Sequence, residues 1–273
     1  MDIAIIGCGY VGLAAAKFWQ QKMTIMVTAT TTTPERLFDL KTVVQKVEVV
    51  RGDDASGLKK VLKGQDIILL SIGRKRNSSY QETYLDTAKT FVDVLKNSSV
   101  KQVIYTSSCS VYGNQNGALV NEETAVTPIS EGEEILKQTE DVLLAAANKD
   151  LQVCILRLGG IYGPDRELLK IYSRVAGTTL PGDGNEPANW IHLDDIVGAV
   201  EFARLHRLQG IYNVVNDANL LRREIIDKVC ETHHLPKVTW DSSQQSTRLF
   251  NAKVSNQKIK DAGFKLIRPE MIF

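Results

Sequence analysis

Residues 3–12 read Ile3-Ala4-Ile5-Ile6-Gly7-Cys8-Gly9-Tyr10-Val11-Gly12, and this stretch decides the fold class. An apolar run of strand length delivers the chain to Gly7-x-Gly9-x-x-Gly12, after which residues 11–21 (VGLAAAKFWQQ) have the alanine-rich spacing of a buried helix. The three glycines differ in what they allow. Gly7 permits a tight turn out of the strand, Gly9 lets the backbone approach a pyrophosphate, and Gly12 lets the helix pack closely on the strand. The anion is then received by N–H groups at a helix N-terminus. The bland alternative is a glycine-rich turn without a ligand, and the strand before and helix after argue against it.

Working outward, residues 24–28, 46–50, 66–72, 101–106 and 151–156 read as further strands, and residues 34–40, 58–62, 80–95 and 131–148 as helices between them. The run 66–72 (DIILLSI) is almost unbroken in its apolarity, as a parallel strand covered on both faces requires. This alternation predicts an α/β fold, a doubly wound parallel sheet of Rossmann type with right-handed crossovers. From Gly163-Pro164 onward, Gly177, Pro181-Gly182-Asp183-Gly184 and Pro187 punctuate the chain, which predicts a small C-terminal substrate lobe. The expected division is a dinucleotide domain over 1–162 and a lobe over 163–273, with segments at about 191–216 returning to the main domain. Helices are expected at 194–204, 222–232 and 255–262, the last capped by Ser255, and a strand at 211–215.

Composition narrows the partners. Lys plus Arg number 33 against 32 Asp plus Glu, a net charge of +1, which gives no electrostatic footprint for nucleic acid or an anionic membrane and points to a small-molecule substrate. Cys8, Cys109, Cys154 and Cys230 lie far apart, as reduced thiols of a cytoplasmic protein do. The opening residues lack the pattern of a signal peptide, and no run has the length of a membrane span. His192, His206, His233 and His234 form no metal-like grouping with acids or cysteines, so no metal is expected. A monomer or a homodimer fits equally.

The expected cofactor contacts are Gly7, Cys8, Gly9, Tyr10, Val11 and Gly12, then Ser71, Ile72 and Gly73 at the end of the fourth strand, with Asp53 on the adenine side after the third. Folds that prefer NAD usually place an acid about 20 residues after the glycines to bind the ribose 2′-hydroxyl. Here no acid stands at the end of strand two. The hydroxyls of Thr30 and Thr31 and the guanidinium of Arg36 suit a 2′-phosphate instead, which predicts NADP, with NAD as the alternative.

Thr106-Ser107-Ser108-Cys109-Ser110-Val111-Tyr112-Gly113 resembles the Ser-Ser/Thr segment leading into Val-Tyr-Gly of the extended short-chain dehydrogenase/reductases, the nucleotide-sugar epimerases and dehydratases. Arg157-Leu158-Gly159-Gly160-Ile161-Tyr162-Gly163-Pro164 resembles that family's Arg-x-x-x-x-Tyr-Gly-Pro turn, Ile191-His192-Leu193-Asp194-Asp195 its Ile-His-Val-Asp-Asp box, and Gly210-Ile211-Tyr212-Asn213-Val214 its closing strand. The resemblance runs almost end to end. It implies that Ser108 hydrogen-bonds a substrate oxygen, that Tyr112 lies near the nicotinamide end, and that His192 is structural.

The chain also departs from the pattern. In the family a Tyr-x-x-x-Lys pair exchanges the proton, the lysine charge lowering the phenol pKa. None of the 8 tyrosines here is followed by lysine four residues on, and between Pro128 and Glu140 the tyrosine slot falls on Gly132 and the lysine slot on Leu136. Shifting by one residue offers Glu133 and Lys137, whose plain reading is a helical surface pair. Ala188 stands where many nucleotide-sugar enzymes carry an arginine for the substrate pyrophosphate. The chain therefore resembles an atypical branch. Two functions stay open: an NAD(P)-dependent oxidoreductase or epimerase acting on a hydroxy, carbonyl or sugar-type substrate, and a non-catalytic NADP-binding redox-sensing or regulatory protein.

Overall fold

The computed structural model describes every residue except Met23 and Arg76. The first half runs β1 (Asp2–Ile6), α1 (Tyr10–Gln20), β2 (Met26–Thr31), α2 (Leu37–Lys41), β3 (Lys46–Val49), α3 (Ala55–Leu62), β4 (Ile67–Leu70), α4 (Thr87–Leu95), β5 (Gln102–Ser108) and β6 (Asn114–Val120). Next come α5 (Glu131–Leu144), β7 (Gln152–Leu158), β8 (Gly160–Tyr162), α6 (Leu168–Tyr172), β9 (Thr179–Pro181) and β10 (Trp190–His192). The chain ends with α7 (Leu193–Leu205), β11 (Gly210–Val214), α8 (Arg222–Thr232), β12 (Thr239–Asp241), β13 (Asn251–Val254) and α9 (Gln257–Asp261).

Seven strands form the main sheet in the order β11-β7-β5-β4-β1-β2-β3, and β1 pairs in parallel with both β2 and β4. The order reverses beside β1, so the carboxyl ends of β1 and β4 define a topological switch point. All four residues of β4 are buried, as its unbroken apolar run requires, whereas the edge strand β3 is half exposed. One face of the sheet packs Ala4, Ile6, Ile68, Leu70, Val103, Val153 and Ile155 against Leu58, Leu62, Phe91 and Leu143 of the covering helices.

The chain divides into two interleaved compact units, one comprising Met1–Ser108, Ser130–Arg157 and Ala199–Tyr212, the other Cys109–Ile129, Leu158–Gly198 and Asn213–Phe273. The boundary expected near residue 162 is thus displaced, and residues 109–129 group with the C-terminal segments. The reason is β6, which pairs in parallel with β13. Its polar sequence, NQNGALV, carries no strand signal of its own. Strand two also runs beyond the expected 24–28, and the expected helix 80–95 begins with a π-type segment, Gln81–Asp86, in which Thr87 Oγ1 donates to the Glu82 carbonyl. Asn256, with Ser255 beside it, stands at the N-cap of α9.

Two buried polar clusters tie the first unit together. Glu140 on α5 receives Arg157 Nη2 at 2.7 Å and Ser107 Oγ at 2.6 Å, and the Arg157 and Glu140 side chains are 2% and 1% exposed. Glu201 on α7 accepts hydrogen bonds from Trp19 Nε1 (2.8 Å), Lys22 Nζ (2.6 Å) and Arg204 Nε (2.6 Å), locking α7 onto the end of α1. Burial alone would raise the Glu201 carboxyl, but these hydrogen bonds outweigh it and bring the pKa down to about 2. A depressed native pKa stabilises the fold above the unfolded value near 4.5 and loses that contribution as pH falls toward 2. Glu201→Gln is therefore expected to lower unfolding stability by about 2–3 kcal/mol at pH 7, with allowance for screening at the exposed end of Lys22. Its deficit relative to the parent is expected to shrink as pH falls below 4.5 in denaturant titrations. A deficit independent of pH would contradict this assignment.

Candidate functional site

The first glycine turn is built from backbone constraints. Gly7 has φ of +86°, and a Cβ there would lie 2.6 Å from the Ser71 carbonyl oxygen and 2.9 Å from Ile72 Cα. The end of β4 therefore abuts the turn, and the backbone of Ser71 and Ile72 lies against Gly7. Gly12 is fixed by close approach too, since a Cβ would lie 2.8 Å from the Gly7 oxygen and 3.0 Å from Ile5 Cγ2. Gly9 is different. It occupies the N-cap of α1, its φ is −83°, and a Cβ there would meet nothing within 4 Å. Gly73 likewise faces open space. A backbone cradle at a helix N-terminus with no side chain above it has the shape and polarity that a pyrophosphate needs.

Arg36 reaches this loop, its Nη1 donating to the Cys8 carbonyl at 2.7 Å. Cys8 is itself buried, and burial pushes its thiol up to about 11, only partly offset by Arg36, so it is a neutral packing group at pH 7. Tyr10 and Val11 begin α1, Val11 buried. Thr30 and Thr31 are not presented to a ligand. They lie inside the longer β2, 2% and 6% exposed, where Thr30 Oγ1 accepts the Gly7 N–H and Thr31 Oγ1 accepts the Thr33 N–H. The hydroxyl offered outward at the strand end belongs to Thr33, which accepts Lys75 Nζ at 2.7 Å. Sequence reading missed Lys75; the basic run beginning at Arg74 directly after β4 was the available signal. Asp53 is exposed and paired through two 3.0 Å hydrogen bonds with Arg51.

Ser108 closes β5 and is half-buried. Gly132 stands in the first turn of α5, capped by Ser130, and Leu136 one turn on is buried. The ring of Tyr80 lies across Gly132: three of its carbons fall 3.1–3.2 Å from where a Cβ would be. Arg74 lies over the same ring at 5.1 Å. Of the Glu133 and Lys137 positions read as a helical pair, Glu133 is buried, and Lys137 reaches one turn on to Asp141 at 2.6 Å.

In the second unit Tyr112 is fully buried and its phenol donates to Asn213 Oδ1 at 3.0 Å, while Asn213 N donates to Glu122 Oε1 at 2.7 Å. That is a packing role for Tyr112, with its hydroxyl committed to the interior. His192 Nδ1 accepts the Asp194 N–H, and Asp195 accepts the N–H groups of Ile267 and Arg268. A cavity of about 280 Å³ is lined by Pro187, Ala188, Asn189, Asn216 and Lys253, so the small Ala188 side chain faces space. Among the described residues no group of acids, histidines and cysteines suits a metal, and no helix is long and apolar enough to cross a membrane.

A mostly parallel sheet of seven strands with an open glycine cradle at its switch point defines a dinucleotide-binding α/β protein. The NAD dependent epimerase/dehydratase family matches residues 3–215, and the chain belongs to that family. Protein YeeZ of Escherichia coli (strain K12) is 29% identical over 231 residues, covering 81% of this chain and 79% of its own. The dTDP-glucose 4,6-dehydratase of Streptomyces griseus is 26% identical over 200 residues, covering 66% and 60%. Among solved structures, UDP-glucuronic acid 4-epimerase from Bacillus cereus in complex with UDP-glucuronic acid and NAD aligns with a TM-score of 0.78 at 16% identity, over 96% of this chain and 92% of that one. A dTDP-glucose 4,6-dehydratase from Bacillus anthracis in complex with NAD aligns at 0.78 and 19%, over 96% and 89%, and both show a shared fold.

The glycines separate two roles that thermal unfolding resolves. Gly7→Ala forces a side chain into a positive-φ turn against backbone and is expected to cost on the order of 2 kcal/mol or more. Gly9→Ala adds a methyl group in open space and is expected to leave the midpoint unchanged. Equal losses in the two variants would overturn the distinction.

Proposed function

We propose that the chain is an NADP-dependent oxidoreductase of the epimerase/dehydratase type, acting on a sugar-type hydroxy or carbonyl substrate. The observation that carries this reading is the open Gly9 cradle with Arg36 bound to the same loop. The residues fit the cofactor. The turn from Gly7 to Gly12 and the start of α1 hold the pyrophosphate, Ser71, Ile72 and Gly73 border it, and Asp53 lies on the adenine side. Arg36, with Thr33 and Lys75 at the same strand end, holds a 2′-phosphate by charge-assisted hydrogen bonds. The bound nicotinamide supplies or accepts hydride.

Ser108 orients the substrate oxygen by a hydrogen bond, and a second group must give or take that oxygen's proton. The phenol of Tyr112 is spent on Asn213, which argues against it as that group. Tyr80 is 37% exposed and covers the helix face where a slot tyrosine would project, so it is the phenol this reading assigns. The second reading, a cofactor-binding regulatory protein without hydride chemistry, draws its support from buried Leu136, which leaves no lysine at the expected place. Adding sugar nucleotides, aldehydes and ketones to the cofactor-loaded protein separates the two. Absorbance change at 340 nm that Ser108→Ala and Tyr80→Phe both reduce supports the enzyme; an inert cofactor across the panel supports the regulator.

Calorimetric titration tests the cofactor. NADP is expected to bind more tightly than NAD, Gly9→Ala to weaken both, and Arg36→Ala to weaken NADP by about tenfold or more while sparing NAD. Tighter NAD binding, or an Arg36→Ala protein with undiminished NADP affinity, would sink the assignment.

A further inference from the structure

Tyr80, the phenol over Gly132, belongs to a pair. Tyr80 and Tyr84 stand four residues apart in the chain, with ring centroids 5.4 Å apart and planes tilted by 39°. Tyr84 lies in the π-type segment Gln81–Asp86, and such segments are rare and concentrate at functional sites. The Thr87 hydroxyl holds the widened turn, and Gly52 leaves room for it, since a Cβ there would overlap Thr87 Oγ1. The spacing of the two phenols is that of Tyr-x-x-x-Lys, moved from α5 to the segment before α4. A second phenol stands where that pattern has its lysine.

The missing charge comes from the loop after β4. Arg74 lies 5.1 Å above the Tyr80 ring, its Nη1 donates to the Ser78 carbonyl at 3.1 Å, and its backbone N–H donates to the Tyr84 hydroxyl at 3.2 Å. Among the described residues no carboxylate forms an ion pair with it. The first turn of α5 carries Glu131, Glu133 and Glu134, so that turn supplies no cation to the phenol resting on it. A cation over a phenol ring is attracted by the π face, and more strongly once the oxygen is ionised. The two phenols differ in what they can do. Burial pushes the Tyr84 hydroxyl up and the Arg74 N–H offsets this only in part, so Tyr84 keeps its proton and serves as an anchor. Tyr80 is 37% exposed and open to a substrate.

We propose that Arg74 and Tyr84 together take the part of the lysine in Tyr-x-x-x-Lys: the guanidinium offsets the negative charge that Tyr80 acquires on giving up its proton, and the Tyr84 hydroxyl fixes the backbone that carries the guanidinium. In carbonyl reduction, hydride from the reduced nicotinamide reaches carbon, the C=O π pair moves to oxygen, and that oxygen takes the Tyr80 hydroxyl proton, leaving a phenolate; alcohol oxidation reverses each transfer. Arg74 and Tyr84 act through Tyr80 and are positioning residues. Their role deepens the enzyme reading given above and rests on it, with Tyr80 as its phenol.

Nitration by tetranitromethane tests this without a substrate, because the reagent attacks a phenolate far faster than a phenol. Modification of Tyr80 is followed by peptide mass spectrometry in the parent, Arg74→Met and Arg74→Lys. Near the surface a unit charge at this distance is worth about fivefold, so Tyr80 of Arg74→Met is expected to nitrate about fivefold more slowly than in the parent at low salt. Arg74→Lys is expected to restore the rate, and salt at about 1 M to narrow the gap. An arginine that merely covers the ring gives the opposite result, since its removal bares Tyr80 and speeds nitration. With a sugar nucleotide, aldehyde or ketone that turns over, Arg74→Met and Tyr84→Phe are each expected to lower kcat about tenfold, a fraction of what a positioned acid contributes, with KM and NADP affinity unchanged. Nitration of Arg74→Met as fast as the parent or faster, or no rescue by lysine, overturns the proposal alone. A cofactor inert across the panel overturns the enzyme reading beneath it, so the two failures are distinguishable.

Discussion

The buried pair of Arg157 and Glu140 is the interaction on which the geometry of the first unit depends. A guanidinium 2% exposed at the end of β7 survives there because Glu140 offers it two oxygens, one of which also receives Ser107. Breaking such a pair strands a charge and costs roughly 3–5 kcal/mol, far more than the pair contributes net. Its value lies in specification: α5, β5 and β7 have one register in which the Glu140 carboxylate meets both Arg157 and Ser107. Ser107 sits within that register, so Ser108, the next residue, emerges from a strand end fixed by the pair. Two turns up α5 from Glu140, the Gly132 face inherits the same constraint.

What the sequence disclosed followed from periodicity. Parallel strands buried on both faces read as apolar runs, and β4 shows why, with no exposed position to interrupt the pattern. The glycine turn was legible because its spacing encodes backbone approach, the property seen at Gly7 and Gly12. Other features had no local signature. The pairing of β6 with β13 joins residues more than a hundred positions apart through a strand of asparagine, glutamine and glycine, so neither propensity nor alternation announced it. The misplaced end of β2 had a larger consequence. Reading the strand as ending at residue 28 put Thr30 and Thr31 in a loop, where hydroxyls face ligands, whereas in the longer strand they serve the turn itself. Lys75 was hidden for the opposite reason: its partner Thr33 lies 42 residues away.

The polar interior of the chain is of two kinds. In the Glu201 cluster a single carboxylate is met by three donors with short contacts, and the arrangement stabilises by depressing the carboxyl pKa. Around Glu186 one oxygen accepts the Ser246 hydroxyl, but the other has no partner, the Arg222 contact is long, and burial pushes the Arg248 guanidinium down. A protein selected for stability alone would replace such groups with packed apolar side chains at little cost or some gain. Unsatisfied buried groups cost stability at all times and are recouped only when something binds.

The same contrast separates the glycines. Gly9 and Gly132 both begin helices and both occupy positions that family resemblance marks for function. A methyl group on Gly9 would enter empty space, while one on Gly132 would meet the Tyr80 ring at 3.1 Å. At Gly9 the missing side chain leaves room that the protein does not fill. At Gly132 the room has been taken by a phenol from the segment before α4, which could not pack there over a larger residue. The absence of the expected tyrosine and the position of Tyr80 are therefore one fact about the packing of this helix face, and any account of how the chain handles a proton has to begin from the pair rather than from the missing residue alone.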